Sequence, residues 1–422
     1  MFVAPAYLND TKGLFKYLFD DNGYDTRVIP IEDQNDTLFV HVHFFLMRVS
    51  EIDEVKETMT TVVYFYMGWC DDNLKWNTTM FNDIDHIHVP QSDVWKPELP
   101  LENGIAKMNE FGDPIRLMLV WFDGFVQWWP FEVLTTTCAI DITYYPFDKQ
   151  TCHIIFGVWT YTLEEIDVSM YASDIDMSEY QTNGQWDVIK TSAVKSNSYG
   201  KALVTFSITM KRKPQYIINS VVLPIMMLSI LSVFTFVLPI DCGEKMGFSM
   251  TLYLAFAVFL TIVSSTLPER ATMSLMSLYL IILLIIGTII NMISALQIRI
   301  HYSDSSREIP FCVRNLVRIS WKLQCRRSVH KIRPCSNAKP KDIQNKTIFD
   351  ERKSGEIINV EDLDSISPKP SVSEPEAKRD NITWPDVTSA IDFFCFWGFL
   401  STIVLVTVLL FVIGNLESDK QG

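Results

Sequence analysis

Four long apolar stretches set the terms on which this chain can fold. They are "IINSVVLPIMMLSILSVFTFVL" (217–238), "GFSMTLYLAFAVFLTIVSSTL" (247–267), "LMSLYLIILLIIGTIINMISALQI" (275–298) and "AIDFFCFWGFLSTIVLVTVLLFVI" (390–413). A helix needs about 20 apolar residues to cross the ~30 Å hydrocarbon core of a bilayer. Within lipid, the helix also satisfies every backbone polar group internally, so the stretches predict four membrane-spanning helices. No stretch before residue 216 qualifies. The expected organisation is therefore an outer domain (1–215), three helices (216–300), a loop (301–388), a fourth helix (389–414) and a short tail (415–422).

Charge orients this arrangement. Residues 1–215 carry 31 acidic against 16 basic side chains, whereas 299–341 carry 11 basic against two acidic. Basic flanks stay cytoplasmic, which puts the 301–388 loop inside and both termini outside. The start "MFVAPAYLND" lacks the basic residues and apolar run of a signal peptide. An exported domain needs one, so the sequence reads as mature or trimmed.

Of eight cysteines, only Cys70, Cys138 and Cys152 fall in the outer domain. Disulfides persist outside the cell, so Cys138 and Cys152 are expected to pair, two free buried thiols being the other reading. Closing a loop of this length removes about 3 kcal/mol of unfolded-state entropy in the loop model. Asn-x-Thr sequons at Asn9, Asn35 and Asn77 predict glycosylation on an exported face.

The outer domain reads as strands, among them 37–47, 60–69 and 201–211, separated by loops rich in Asp, Asn, Gly and Pro. Only a short segment near the amino terminus looks helical. An antiparallel β-sandwich followed by a four-helix transmembrane bundle is the expected fold. Past the third span, "IPFCVRNLVRISWKL" (309–323) is amphipathic, with Ile309, Val313, Leu316, Val317 and Trp321 near one face. That suits a helix on anionic membrane lipid or on a partner protein. Residues 336–386 are polar and expected to be disordered.

One span is unusual. Gly247, Thr251, Leu254, Val258, Thr261 and Ser265 form a single helical stripe of small, hydroxylated or medium-sized side chains, with Phe248, Tyr253, Phe256 and Phe259 on other faces. Such a stripe lines water or packs closely against another helix.

Several motifs together resemble the Cys-loop family of pentameric ligand-gated ion channels, in its nicotinic acetylcholine receptor branch. They are the cysteine loop "CAIDITYYPFDKQTC" (138–152), "VWKPEL" (94–99), "FGVWTY" (156–161), "NGQWD" (183–187) and "DCGEKM" (241–246). The resemblance covers the chain except 336–386. It implies a pentamer with four further subunits, identical or homologous, and a pore lined by the second span. Glu244, with Asp241 one turn further in, would ring the inner mouth and select monovalent cations, and Leu254 and Val258 would form a hydrophobic gate.

The resemblance also implies a cationic small-molecule agonist held by aromatic faces between neighbouring outer domains. Trp159 matches the central tryptophan, with Glu102 and Tyr199 on the same side; Tyr64, Gln127 and Trp129 match the facing wall. The adjacent cysteine pair of acetylcholine-binding subunits is missing from "SAVKSNSYGKALVTF" (192–206). Hence the chain either binds another ligand or is an accessory subunit supplying only the facing side.

For the cysteine loop, the family's arrangement implies a rigid tip touching the membrane domain. Pro146 would fix its bend, Tyr145 and Phe147 would press on "PERATMSL" (268–275), and Asp148 and Glu54 would meet Arg212. No phosphate loop, G-x-S-x-G or H-E-x-x-H motif occurs, so no enzyme is expected, and no cofactor or nucleic-acid partner. His41/His43 and His86/His88 read as polar strand faces rather than metal sites.

Overall fold

Alternating burial runs through the amino-terminal part of the molecule and builds its two sheets. In β10 (Lys201–Arg212), Ala202, Val204, Phe206, Ile208 and Met210 are all buried while the residues between them are partly exposed, the period of a half-buried strand. The computed structural model describes residues 8–105, 111–113, 115–264, 273–303, 309–324 and 382–420. The chain forms two units, Met1–Ser294 with Phe396–Gly422, and Ala295–Cys395.

In the first unit, a short helix α1 (Leu8–Phe15), widened into a π-turn over Lys16–Asp21, buries Leu14 and Leu18. The strands are β1 (Leu38–Asp53), β2 (Thr58–Lys75), β3 (His86–Pro90), β4 (Leu117–Trp121), β5 (Asp123–Trp128), β6 (Phe131–Thr137), β7 (Lys149–Gly157), β8 (Ile166–Met170), β9 (Trp186–Ser198) and β10. One sheet runs β3-β4-β5-β2-β1-β8 with β6 paired to β2, the other β7-β10-β9. Rings from both sheets meet between them: Phe44 stacks on Phe206 at 4.3 Å and Phe65 meets Phe156 edge-on at 5.3 Å. Among the described residues the named strands form the expected antiparallel sandwich, with one parallel pair, β8 beside β1.

Among the described residues, four helices are long and apolar enough to cross a membrane: Gln215–Phe236, Lys245–Ser264, Leu275–His301 and Trp384–Leu416. The first is irregular. Helices α2 (Gln215–Ile217) and α3 (Leu223–Val233) flank a π-segment, Ile218–Val222. Pro224 has no N–H to offer the carbonyl one turn earlier, and the widened turn sits beside it. Helices α4 (Lys245–Ser264) and α5 (Leu275–His301) are joined by a hydrogen bond from Ser249 Oγ to Asn291 Oδ1.

In the second unit, α6 (Phe311–Leu323) packs Val313, Val317 and Trp321 against Ile382, Trp384, Val387 and Ala390. Leu316, expected on that face, is 38% exposed, because it stands about 100° round the helix from Val317. Helix α7 (Trp384–Lys420) starts before the expected residue 389 and runs into the expected tail. A carboxylate cap explains the early start: Thr383 N–H and Oγ both donate to Asp386, at 3.0 and 2.6 Å. The expected disorder over 336–386 lies largely outside the described residues. Asn9, Asn35 and Asn77 are all exposed.

Candidate functional site

Cys138 and Cys152 are disulfide-bonded, with Cα atoms 5.1 Å apart. The loop they close reaches the membrane helices at two points. Leu275 N–H, at the start of α5, donates to the Thr143 carbonyl at 2.8 Å. Phe147 is buried against α7, where its ring meets Phe411 at 6.0 Å and covers Gly414 so closely that a Cβ there would collide with it. The Tyr145–Pro146 peptide is cis. Residues 268–272, against which Tyr145 and Phe147 were expected to press, lie outside the described residues.

Arg212, at the end of β10, is the hub of the loop's base. Its guanidinium holds buried Asp148 through two bonds of 2.8 and 3.2 Å, and Glu54 at 2.6 Å. It also lies over Trp186 at 4.2 Å and Tyr145 at 4.9 Å. Gln150 Nε2 donates to Asp148 at 2.6 Å, so the carboxylate has a second donor. Burial alone would lower the Arg212 pKa, but the Asp148 and Glu54 carboxylates outweigh it and raise it. Sequence reasoning named Glu54, Asp148 and Arg212 as partners. It gave no role to Trp186, although "NGQWD" was in view, nor to Gly414.

On α4, Gly247, Thr251, Leu254, Val258 and Thr261 are all exposed, as are Glu244 and Asp241 just before them. Lys245, Ser249, Phe256 and Val263 face inward, with the Lys245 ammonium 5.6 Å from the Phe236 ring. Thr251 and Thr261 hydroxyls bond the helix's own carbonyls, of Gly247 at 2.8 Å and Val258 at 2.7 Å. Ser265 lies outside the described residues.

Trp159 follows β7 and is 52% exposed. Glu102 lies nearby: its carboxylate sits where a Cβ on Gly157 would stand. Among the described residues no ring contact joins Tyr199 to Trp159. With Gly200, Tyr199 forms a two-residue turn between β9 and β10, both at positive φ (51° and 74°), and its side chain projects fully into solvent. Lys201 meets Trp159 instead, its ammonium 5.1 Å from the ring centroid and bonded to the Trp159 carbonyl.

The other group of candidates lies on the larger sheet. Gln127 Nε2 donates to Tyr66 Oη at 3.1 Å, Tyr66 meets Trp129 at 5.5 Å and Tyr171 at 5.4 Å, and Tyr64 stacks on Phe45 at 4.4 Å. Tyr66 was missed, although its place two residues after Tyr64 puts both on one strand face. Among the described residues no ring contact or hydrogen bond joins this wall to Trp159. His41 bonds Ser169, His43 lies 3.7 Å from Asp176, and His86 bonds Asp85 at 2.6 Å.

Comparisons with known proteins cover both halves of the chain. Residues 11–214 match the sequence model of the neurotransmitter-gated ion-channel ligand binding domain, and 221–381 that of the neurotransmitter-gated ion-channel transmembrane region. The chain is 27% identical to the Gallus gallus neuronal acetylcholine receptor subunit beta-3 over 427 residues, covering 96% of this chain and 93% of that one. It is 26% identical to the Homo sapiens beta-3 subunit, over 94% of this chain and 91% of that one. With the Mus musculus alpha-6 subunit it shares 28% identity over 309 residues, 72% of this chain and 62% of that one.

Proposed function

The chain belongs to the neurotransmitter-gated ion-channel family, and on that premise we propose that it is a subunit of a pentameric, nicotinic-type cation channel of the plasma membrane. An agonist bound between neighbouring outer domains would open a pore lined by α4, with both termini outside the cell. The outer domain would be 1–215, the first three helices 216–300, the cytoplasmic loop 301–388, the fourth helix 389–414 and the tail 415–422.

The carrying observation is the exposed stripe of α4, small, hydroxylated and aliphatic, beginning at the exposed carboxylate of Glu244 while the bulkier Phe256 faces inward. Repeated around a closed ring, that carboxylate favours cations, and a ring of Leu254 closes a pore by dewetting. A second reading, an accessory subunit without its own agonist face, is favoured by the exposed Tyr199 and the missing cysteine pair.

Expression of the chain alone with Leu254→Thr tests both. A constitutive leak whose reversal potential follows Na⁺ supports a self-sufficient cation channel, and Glu244→Gln should then weaken its cation preference. A leak that follows Cl⁻ refutes the Glu244 argument. Silence with the protein at the cell surface favours the accessory reading.

A further inference from the structure

We propose that Lys201 is the resident cation of the Trp159 face: its ammonium occupies the place an organic cation would take, and excludes such a cation until displaced. The inference rests on the channel reading above and deepens it by assigning a specificity-determining residue.

Strand register brings the pair together. The β7–β10 ladder ends at the Leu203–Gly157 pair, and Val158 N–H donates to the Ala202 carbonyl at 3.1 Å just beyond it, which carries the chain on so that Trp159 comes beside Lys201. On its other side, Lys201 pairs with Ser198 and is held by the two-residue turn at Tyr199–Gly200. Backbone bonds thus hold the chain on both sides of the lysine, at Ser198 and at Val158 next to Trp159.

The contact is two-fold. The ammonium lies over the electron-rich ring face, and it donates a hydrogen bond to the Trp159 carbonyl. Among the described residues no carboxylate is ion-paired with it; Glu98 accepts from Thr160 N–H at 3.3 Å, and Glu102 lies against Gly157. A tethered ammonium competes at an effective concentration of about millimolar or higher. A free cation offering only the same ring contact gains little over it.

Amine acylation of the full-length protein, read residue by residue by mass spectrometry, tests this without relying on channel activity. Lys201 should react about tenfold more slowly than exposed Lys190, the factor expected of one cation–ring contact. Tetramethylammonium chloride should speed acylation of Lys201, but not of Lys190, relative to sodium chloride at equal ionic strength. Trp159→Leu should release Lys201 to the Lys190 rate, while Trp159→Phe keeps it slow. Equal rates for the two lysines in the unmodified protein overturn the proposal, as does a slow Lys201 indifferent to tetramethylammonium. Failure of the channel reading would register separately, in the Leu254→Thr currents.

Discussion

Replacing Arg212 by glutamine should be among the most damaging single changes to the outer domain. The guanidinium neutralises Asp148, which is only 2% exposed, and is itself 5% exposed. Removing one partner of a buried ion pair leaves an uncompensated charge and typically costs about 3–5 kcal/mol. Gln150 keeps one bond to Asp148 at 2.6 Å, and Glu54 can turn to solvent, so the lower end of that range is the better expectation. For a domain of this size each kcal/mol moves the melting midpoint by about 2–4 °C, so the loss should be roughly 6–20 °C. The assay is thermal unfolding of the purified protein in a four-corner cycle with Asp148→Asn. If the stranded carboxylate is the cause, the double variant should recover about 1–3 kcal/mol relative to the sum of the singles. Strict additivity would refute the charge argument and leave the lost stacking on Trp186 and Tyr145 as the explanation.

Two further outcomes follow from other parts of the molecule. Asp71 is fully buried, accepts from Tyr24 Oη at 2.6 Å and Asn73 N–H at 3.0 Å, and burial pushes its pKa up to about 6. Its contribution to stability is therefore complete below the unfolded value near 3.8 and lost as pH rises through about 6. The loss amounts to about 3 kcal/mol, so the melting midpoint of Asp71→Asn should gain on that of the unmodified protein between pH 4 and 7; a constant gap rejects the titration. Gly414→Ala should force Phe147 out of its seat at a cost of about 1–3 kcal/mol, relieved by adding Phe147→Leu. If the two changes prove independent in unfolding measurements, Phe147 is not what makes glycine necessary.

Hydropathy alone located the four long apolar helices, because a lipid solvent leaves a helix no alternative and a run of apolar residues records that directly. It could not find the ends of α7, where the Thr383–Asp386 cap prolongs the helix into polar sequence. Period-two alternation exposed β1, β2 and β10. The parallel strand β8 left no such mark: "IDVSM" is short, and its pairing with β1 joins residues some 128 positions apart. The candidate site divides the same way. Arg212 and its carboxylates were legible as charges, but the identity of Trp159's neighbour was decided by β7–β10 register, a non-local property. Tyr199 was the natural aromatic to choose from sequence, and the two-residue turn it forms with Gly200 gives the place to Lys201 instead.

The seat of Phe147 on α7 ties the cysteine loop to a helix that is mostly bare. Only 17% of the apolar window of that helix is buried within the chain, and Val404, Leu405, Val408, Leu409 and Val412 are all exposed. A helix so exposed to lipid adjusts its tilt and depth to the thickness of the bilayer, at fractions of a kcal/mol per ångström of mismatch. Through Phe411 and Gly414, that adjustment bears on the tip of the loop. On the channel reading, a change of membrane thickness would thereby load the outer domain mechanically, through the contact of Phe147 with Phe411 and Gly414.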